Sequence, residues 1–194
     1  MKIDWEWVGR VHSVRQMWFT ADTHFGHRRM VESREFVSAD EMDEAMIKSW
    51  NSVVNPQDLV YHLGDFSFRK KEETLMILKR LNGKIHLVKG NHDKIIKNVE
   101  VSTKFVWVKD YFNLKVNKEK IILCHFPFET WDKSHYGSWH LHGHSHGSLI
   151  TTRDIKRFDV GVDTNNLIPY HLEEITEIMA KRGYEAVDHH TSNI

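Results

Sequence analysis

Cysteine is almost absent from this sequence, in which Cys124 is the single thiol among 194 residues. One cysteine excludes an intrachain disulfide framework and is typical of a reducing compartment, so the sequence predicts a cytoplasmic protein. Long apolar runs are also missing, because charged or polar residues interrupt each one well before the roughly 18 residues of a membrane span. Asp4 and Glu6 break the apolar residues of the N-terminus, so no signal peptide is expected.

An excess of charge of one sign is missing as well. The 27 lysines and arginines balance 27 aspartates and glutamates, so the formal net charge is zero. This balance disfavours strong general affinity for nucleic acids and a polybasic membrane anchor. Only three prolines occur, and no Pro-, Gly- or Ser-rich linker divides the chain. We therefore predict a single domain over residues 1–194, with the functional motifs within residues 16–171.

Histidine is the residue in surplus, with 15 copies. Neutral imidazole is the commonest metal ligand in proteins, and it carries protons near neutral pH. A metal site is therefore the first hypothesis to examine.

Short apolar runs alternate with amphipathic stretches, a pattern that is typical of α/β proteins. The predicted strands are Gln16–Thr20, Leu59–Leu63, Lys84–Lys89, Phe105–Lys109, Tyr111–Val116, Lys120–Cys124, Ser138–His142 and Phe158–Val162. The predicted helices are one that follows the capping box Ser38–Glu41 and reaches Asn51, one over Lys70–Leu81 and one over Leu172–Lys181. The Trp-rich segment Met1–Arg15 fits either an extra strand or a cover over a sheet edge.

Five of the predicted strands end in polar clusters. These clusters are Asp22 with His24, Gly64-Asp65, Gly90-Asn91-His92-Asp93, His125, and Gly143-His144-Ser145-His146. Because sites in open α/β sheets form outside the carboxyl ends of the strands, the clusters are expected to converge. Their glycines permit unusual φ values and close backbone approach in tight turns.

Seven side chains in these clusters are candidate metal ligands: Asp22, His24, Asp65, Asn91, His125, His144 and His146. Four imidazoles and three oxygen donors, with no thiolate, suit Mn, Fe, Zn or similar ions rather than a Cys-type structural zinc site. Seven ligands are too many for one tetrahedral ion. They suit two ions that share a carboxylate bridge, an arrangement that clamps the attacking and leaving oxygens in phosphoryl transfer.

In residue types and in order, these clusters resemble the five motif blocks of the calcineurin-like metallophosphoesterase superfamily. The blocks extend from Asp22 to His146, and the short chain and its Phe25-Gly26-His27 run resemble small bacterial and phage-encoded members. The fourth block differs from the family pattern, which often has a glycine before the histidine, because Cys124 precedes His125 here.

The resemblance implies a role for each residue. One metal ion would be held by Asp22, His24 and His146, the other by Asn91, His125 and His144, and Asp65 would bridge the two. His92 would protonate the leaving group as general acid, and Asp93 would orient it. The implied fold is α/β, a two-sheet β-sandwich flanked by helices in four αββα layers.

The implied reaction is metal-dependent hydrolysis of a phosphoester, in which a hydroxide that bridges two divalent ions attacks phosphorus. Manganese is the expected metal, with Fe, Zn, Ni and Mg as alternatives. We expect a small, nucleotide-like phosphodiester as substrate, because a departing alkoxide benefits from an acid such as His92. A phosphomonoesterase and a catalytically silent metal-binding scaffold remain alternatives, and the sequence leaves the oligomeric state open.

Several residues near the motifs keep two interpretations. His62 would either pack in the core or support the ligands. For His140 and His142, a structural or supporting role is favoured over a role as metal ligand. His27 and Arg28 would either touch a substrate phosphate or remain solvated. The aromatic residues of Phe126–Trp139 would either stack on a nucleobase or pack their loop onto the body, and packing is favoured. Cys124 is expected to be a small buried residue of a strand.

Overall fold

Apolar strands form two sheets in the computed structural model, which describes residues 15–150 and 152–186. The strands are β1 (Met17–Thr20), β2 (Leu59–His62), β3 (Lys84–Val88), β4 (Val108–Lys109), β5 (Tyr111–Val116), β6 (Glu119–Cys124), β7 (Trp139–His142), β8 (Arg157–Asp159) and β9 (Tyr170–His171). The first sheet has the order β4-β3-β2-β1-β9, and the second has the order β5-β6-β7-β8.

Both sheets are mixed, and each has a parallel part. Strands β1 to β4 are parallel and β9 is antiparallel to β1. In the second sheet β6, β7 and β8 are parallel, whereas β5 and β6 are antiparallel. Parallel pairing brings the carboxyl ends of neighbouring strands to one edge, and Thr20 lies opposite His62 there. The polar clusters that follow these strands therefore begin close together.

The helices are α1 (Arg28–Ser33), α2 (Ala39–Val53), α3 (Lys71–Arg80), α4 (Val99–Ser102) and α5 (Leu172–Ala180). Buried residues of α2 and α3, such as Met46, Trp50 and Ile77, form one core with Val60 and Leu87 of the first sheet. None of the helices within the described residues is long and apolar enough to cross a bilayer.

A second core lies between the two sheets. Phe19 and Leu63 from the first sheet pack in one cluster with Leu123 and Leu141 from the second. Ile175 of α5 is fully buried in the same cluster. The predicted α/β fold, with two sheets flanked by helices, is therefore confirmed.

Two predicted strands differ from the structure. The strand expected over Phe105–Lys109 is only Val108–Lys109, because Phe105 belongs to the core beneath the helices. The strand expected over Phe158–Val162 is Arg157–Asp159, and a 3₁₀ turn begins at Val162.

Strand β9 and helix α1 have no counterpart among the predicted elements, because two and six residues are too short to carry a hydrophobic period. Residues 1–14 of the Trp-rich segment lie outside the described residues, so its two interpretations stay open.

The N-terminus of α2 shows half of the predicted capping box. The Ser38 hydroxyl accepts a hydrogen bond from the backbone N–H of Glu41 at 3.1 Å, which satisfies a donor that the first turn of a helix leaves unpaired. The Glu41 carboxylate accepts a hydrogen bond from the N–H of Val37 at 2.8 Å, one residue before the N-cap, rather than from the N–H of Ser38.

We expect Ser38→Ala to lower the free energy of unfolding by about 0.5–2 kcal/mol, because the N–H of Glu41 loses its acceptor. Urea denaturation measures the change. Ser52→Ala in the same helix is the matched control, since that hydroxyl only contacts the Ser49 carbonyl, and its effect should stay within about 0.5 kcal/mol. Equal effects of the two substitutions would contradict a capping role for Ser38.

Candidate metal centre

The loops that carry the five motifs meet where the carboxyl ends of β1, β2, β3, β6 and β7 lie. Five of the seven predicted ligands have a left-handed backbone: Asp22 (φ 57°), His24 (50°), Asp65 (58°), His144 (68°) and His146 (47°). This region is sparsely populated by residues other than glycine and is found where surrounding structure imposes it, often at functional sites. The turns aim these side chains back toward a common point.

One half of the centre is formed by Asp22, His24 and His146. Candidate ligand atoms of these three residues lie within 4.8 Å of one another. The rings of His24 and His146 have centroids 5.1 Å apart, and His24 Nε2 lies 3.8 Å from Asp22 Oδ1. This group contains the three residues that the resemblance assigned to one ion.

Asp65 lies between this half and the next. Its Oδ2 is 3.6 Å from Nε2 of His24 and also 3.6 Å from Nε2 of His125. Its other oxygen, Oδ1, accepts a hydrogen bond from the backbone N–H of His92 at 2.8 Å, which fixes the orientation of the carboxylate. A carboxylate in this position can contact two cations at once.

The other half contains His125, Asn91 and His144. Nε2 of His125 lies 3.0 Å from Asn91 Oδ1, and the His144 ring packs against that of His125 with centroids 5.1 Å apart. Asp22, Asp65 and His125 form a second close group of candidate ligand atoms, so Asp22 also lies near this half. The structure therefore brings all seven predicted ligands into one cluster.

Hydrogen bonds fix which nitrogen of His125 is available. Nδ1 lies 2.7 Å from the Leu63 carbonyl oxygen, which can only accept, so Nδ1 carries the proton. In the neutral ring Nε2 then holds a lone pair, and this lone pair faces the Asp65 carboxylate. Two acceptors that face each other are stabilised by a cation between them.

Buried atoms without partners are consistent with the same requirement. Among the described residues, Oδ1 of Asp22 and both ring nitrogens of His24 are buried and make no hydrogen bond. Burial raises the pKa of Asp22 to about 8. Burial, followed by the neighbouring His146 and Arg34, lowers the pKa of His24 to about 2. The oxygen of Asp22 and the ring nitrogens of His24 fit a divalent cation, which would place a positive charge next to both side chains.

Glycines let the loops approach this closely. A Cβ on Gly64, which has φ of 92°, would lie 2.5 Å from the backbone nitrogen of Gly90. A Cβ on Gly143 would lie 2.6 Å from Asp22 Oδ2. Both positions agree with the close backbone approach that the sequence predicted.

The predicted role of Asp93 in orienting His92 stays a prediction, and the structure shows other contacts for its carboxylate. The buried Asp93 carboxylate accepts hydrogen bonds from three backbone N–H groups, those of Asp65, Phe66 and Gly90, at 2.7–2.8 Å. No hydrogen bond joins the side chains of Asp93 and His92 in the described part of the chain. Asp93 ties the Asp65 loop to its own loop, because its short side chain reaches the unpaired amides of both.

His92 is held by other contacts. Its ring packs against Phe68, with centroids 5.1 Å apart, and lies 6.0 Å from the ring of His24. Phe68 in turn stacks on His27 at 4.0 Å. His92 is exposed at the mouth of the centre, and its predicted role as general acid stays a prediction.

Two supporting residues escaped the sequence reasoning. Asp163 Oδ2 lies 2.6 Å from Nδ1 of His146, and both Asp163 oxygens accept hydrogen bonds from Arg34 at 2.7 and 2.9 Å. Arg34 also donates to the backbone carbonyls of Asp22 and Thr23. Asp163 could have been predicted, because it is a further polar residue that follows the end of a strand, here β8. Arg34 carries no comparable signal.

The contact with Asp163 affects the protonation of His146. The hydrogen bond with Asp163 raises the pKa of His146. Burial of Asp163 opposes ionisation, but the contacts with His146 and Arg34 outweigh it and hold the pKa of that carboxyl below its usual range. Because Nδ1 donates to the carboxylate, Nε2 of a neutral His146 is left free for a ligand role.

The histidines with two interpretations pack in the core. His140 is fully buried, contacts the carbonyls of Ile122 and Phe126, and stacks on Phe128 at 4.9 Å. His62 is fully buried and lies 3.0 Å from the Thr23 hydroxyl, beside the ligand loop. Burial lowers the pKa of both rings to about 3.

Two more expectations have clear outcomes. His142 is buried at the end of β7, where its Nδ1 contacts the Gly143 carbonyl oxygen. Cys124 is a buried free thiol of β6, as predicted.

Aromatic residues after His125 divide into two kinds. Phe128 and Trp131 pack on His140, as the favoured interpretation predicted. Phe126 differs, because it is 43% exposed and lies edge-on to the rings of His125 and His144, at 5.0 and 4.9 Å.

Known proteins resemble this chain over the same region. The calcineurin-like phosphoesterase superfamily domain matches residues 16–162. The protein MJ1445 of Methanocaldococcus jannaschii is 31% identical over 178 residues, which cover 87% of this chain and 94% of that protein. The gene 66 protein of Mycobacterium phage D29 is 29% identical over 192 residues, covering 84% and 95%.

A crystal structure agrees with these matches. The Aquifex aeolicus protein AQ665 has a TM-score of 0.66 and 26% identity, and the match covers 85% of this chain and all of that one. The chain therefore belongs to the calcineurin-like phosphoesterase superfamily, a family of metal-dependent hydrolases. The family resemblance of the sequence is confirmed.

We expect Asp163→Ala to weaken the binding of one metal ion by about 10–100-fold and to leave the second nearly unchanged, because His146 is the one candidate ligand bonded to this carboxylate among the described residues. Calorimetric titration of the metal-free protein with Mn²⁺ measures both affinities. Asp132→Ala, which removes an exposed carboxylate paired with Lys120, is the control and should change neither. Equal weakening of both ions by Asp163→Ala would show a general loss of structure instead.

Proposed function

We propose that this protein is a phosphodiesterase that hydrolyses small, nucleotide-like phosphodiesters with two divalent metal ions, most often Mn²⁺. The observation that carries the proposal is the position of Asp65 Oδ2, which lies 3.6 Å from an imidazole nitrogen in each half of the centre. Two ions that share a carboxylate are the arrangement used to clamp both oxygens of an in-line displacement at phosphorus.

Each half of the cluster would hold one ion. Asp22, His24 and His146 would hold the first, and Asn91, His125 and His144 the second, with Asp65 shared. When bound, the ions would neutralise the phosphoryl oxygens and lower the pKa of a water molecule toward neutrality. Nδ1 of His125 and of His146 is bonded to an acceptor, which leaves Nε2 of each ring as its candidate ligand atom.

His92 would donate the proton to the departing oxygen. Its backbone is tied to Asp65 by the hydrogen bond to Oδ1, so the ring stays beside the shared carboxylate. The ring itself packs on Phe68 and faces solvent, where a leaving alcohol would depart. A proton on Nε2 or Nδ1 of this ring would pass to the alkoxide as the ester bond breaks.

The rim of the centre favours a diester over a monoester. Phe68 and Phe126, which are 39% and 43% exposed, lie against ligand rings on the two halves. Arg34, the guanidinium beside Asp22, is buried in its pair with Asp163 and does not reach the mouth. Apolar rims suit the single charge and second organic group of a diester better than the two charges of a monoester.

Chelation tests the metal requirement. Protein stripped of metal should lose hydrolysis of bis(4-nitrophenyl) phosphate, and added Mn²⁺ should restore it. Ions that bind only the folded state should also stabilise it, by about 2.7 kcal/mol at 100 times Kd. Turnover at full rate by the stripped protein would disprove the dinuclear mechanism, and stabilisation without turnover would favour a binding scaffold.

Substitution of His92 tests whether this residue acts as the general acid. We expect His92→Ala to lower kcat by about 10²–10⁴ on a diester with an alkyl leaving group, because the alkoxide then departs without a proton. On bis(4-nitrophenyl) phosphate the loss should be much smaller, since nitrophenolate leaves readily. Metal content, measured by elemental analysis, should stay the same.

A histidine outside the centre provides the control. His135→Ala removes a ring that packs at a tilt against Tyr136, and it should change neither rate. A uniform loss on both substrates in His92→Ala would assign that residue to phosphate binding or structure rather than proton transfer.

A further inference from the structure

A cleft of about 390 Å³ has walls formed by the segments that follow His125 and His146 along the chain. It is lined by Pro127, Glu129, Leu149, Ile150, Arg153 and Arg157, among others. Its volume lies within the roughly 300–1,000 Å³ of small-molecule sites. The ligand residues themselves do not line it, so the metal cluster leaves the cleft unexplained.

Two residues of the cleft walls lie close to candidate ligands along the chain. Pro127 follows His125 by two residues, so their Cα atoms are at most about 7.6 Å apart. Leu149 follows His146 by three residues and is at most about 11.4 Å from it. The ring of Phe126, between His125 and Pro127, touches the rings of both His125 and His144. Phe126 therefore contacts the centre and directly precedes Pro127, a residue of the cleft wall.

The walls of the cleft combine apolar and hydrogen-bonding groups. Leu149 and Ile150 are exposed, the latter by 89%, although both are large and apolar. Glu129 forms ion pairs with Arg153 and Arg157 on the other side. Arg157 is nine-tenths buried and anchored by a hydrogen bond to the Phe128 carbonyl. Apolar surface with a few fixed donors and acceptors suits a flat heterocycle that has polar edges.

We propose that this cleft binds the nucleobase of the ester, with Phe126 as the ring on which the base stacks. The inference rests on the proposed function, because the phosphate must lie at the metal centre for the base to reach the cleft. It assigns nucleoside esters as the substrate class, and it gives Phe126, Leu149 and Ile150 a role in specificity.

Two phosphates that differ only in the base test the proposal. AMP and ribose 5-phosphate would both bind the Mn²⁺-loaded protein through phosphate, and calorimetry gives the two dissociation constants. Stacking of a base typically makes a difference of about 5- to 100-fold in affinity. We expect AMP to bind tighter than ribose 5-phosphate by a factor in this range.

Variants locate the effect. Phe126→Ala should bring the ratio of the two dissociation constants close to one, and Ile150→Ser should reduce it. Tyr136→Ala, which removes an aromatic side chain that is 76% exposed on the segment after Phe126, should leave the ratio unchanged. Thermal unfolding and metal content check each variant. If Phe126→Ala does not fold, Ile150→Ser decides, because so exposed a side chain contributes little to the core.

A ratio near one in the unaltered protein would overturn the proposal, and so would a large ratio that neither variant changes. Failure of the proposed function would look different. In that case the Mn²⁺-loaded protein would bind neither phosphate and would not hydrolyse bis(4-nitrophenyl) phosphate. Equal binding of the two phosphates with intact hydrolysis would reject the role of the cleft in binding a base, and it would leave the proposed function unaffected.

Discussion

The arrangement of the loops depends on a cluster of buried acidic and imidazole side chains that needs a positive charge nearby. Asp22 and Asp65 are buried there beside the rings of His24 and His125. Burial disfavours the charged forms of Asp22 and His24, because it raises the pKa of the first and lowers the pKa of the second. Removing both carboxylates from water would cost several kcal/mol per ion without compensation. A cation held between acceptors removes this penalty, so the arrangement of the loops makes sense as a preformed site for positive charge.

The backbone around the centre is shaped to meet that requirement. Residues such as Asp22 and Asp65 adopt left-handed φ values, each of which costs on the order of 1–3 kcal/mol for a residue other than glycine. Such strain persists only where the surroundings over-determine it. Here Asp93 ties two loops together through three amides, and Arg34 holds the carbonyls of Asp22 and Thr23. Behind these loops lies a close-packed core between the sheets, which resists the relaxation that would relieve the strain.

The predictable and unpredictable parts of the site differ in how they are encoded. The seven ligands could be found because each lies just after an apolar run, in a local pattern with glycines. The hydrogen-bond partners of Asp93 could not be predicted. They are backbone N–H groups, which every residue except proline has, so the sequence carries no pattern that marks them. Asp163 and Arg34 meet across 129 positions of the chain, a pairing that depends on tertiary structure alone. In the same way, the longer strands and helices were predicted to within a few residues, whereas β9 is too short to show a period.

The two halves of the centre differ in burial. Asp22 and His24 are closed off from solvent, with the pair of Arg34 and Asp163 behind His146. Asn91 and His144 are exposed in the other half, next to His92 and Phe126. Within the described residues, the exposed ligands therefore mark a side of the cluster that is open to solvent. His92, the proposed acid, and Phe126, the ring proposed to stack on a base, are both exposed there, so an ester that enters from this side would meet both groups.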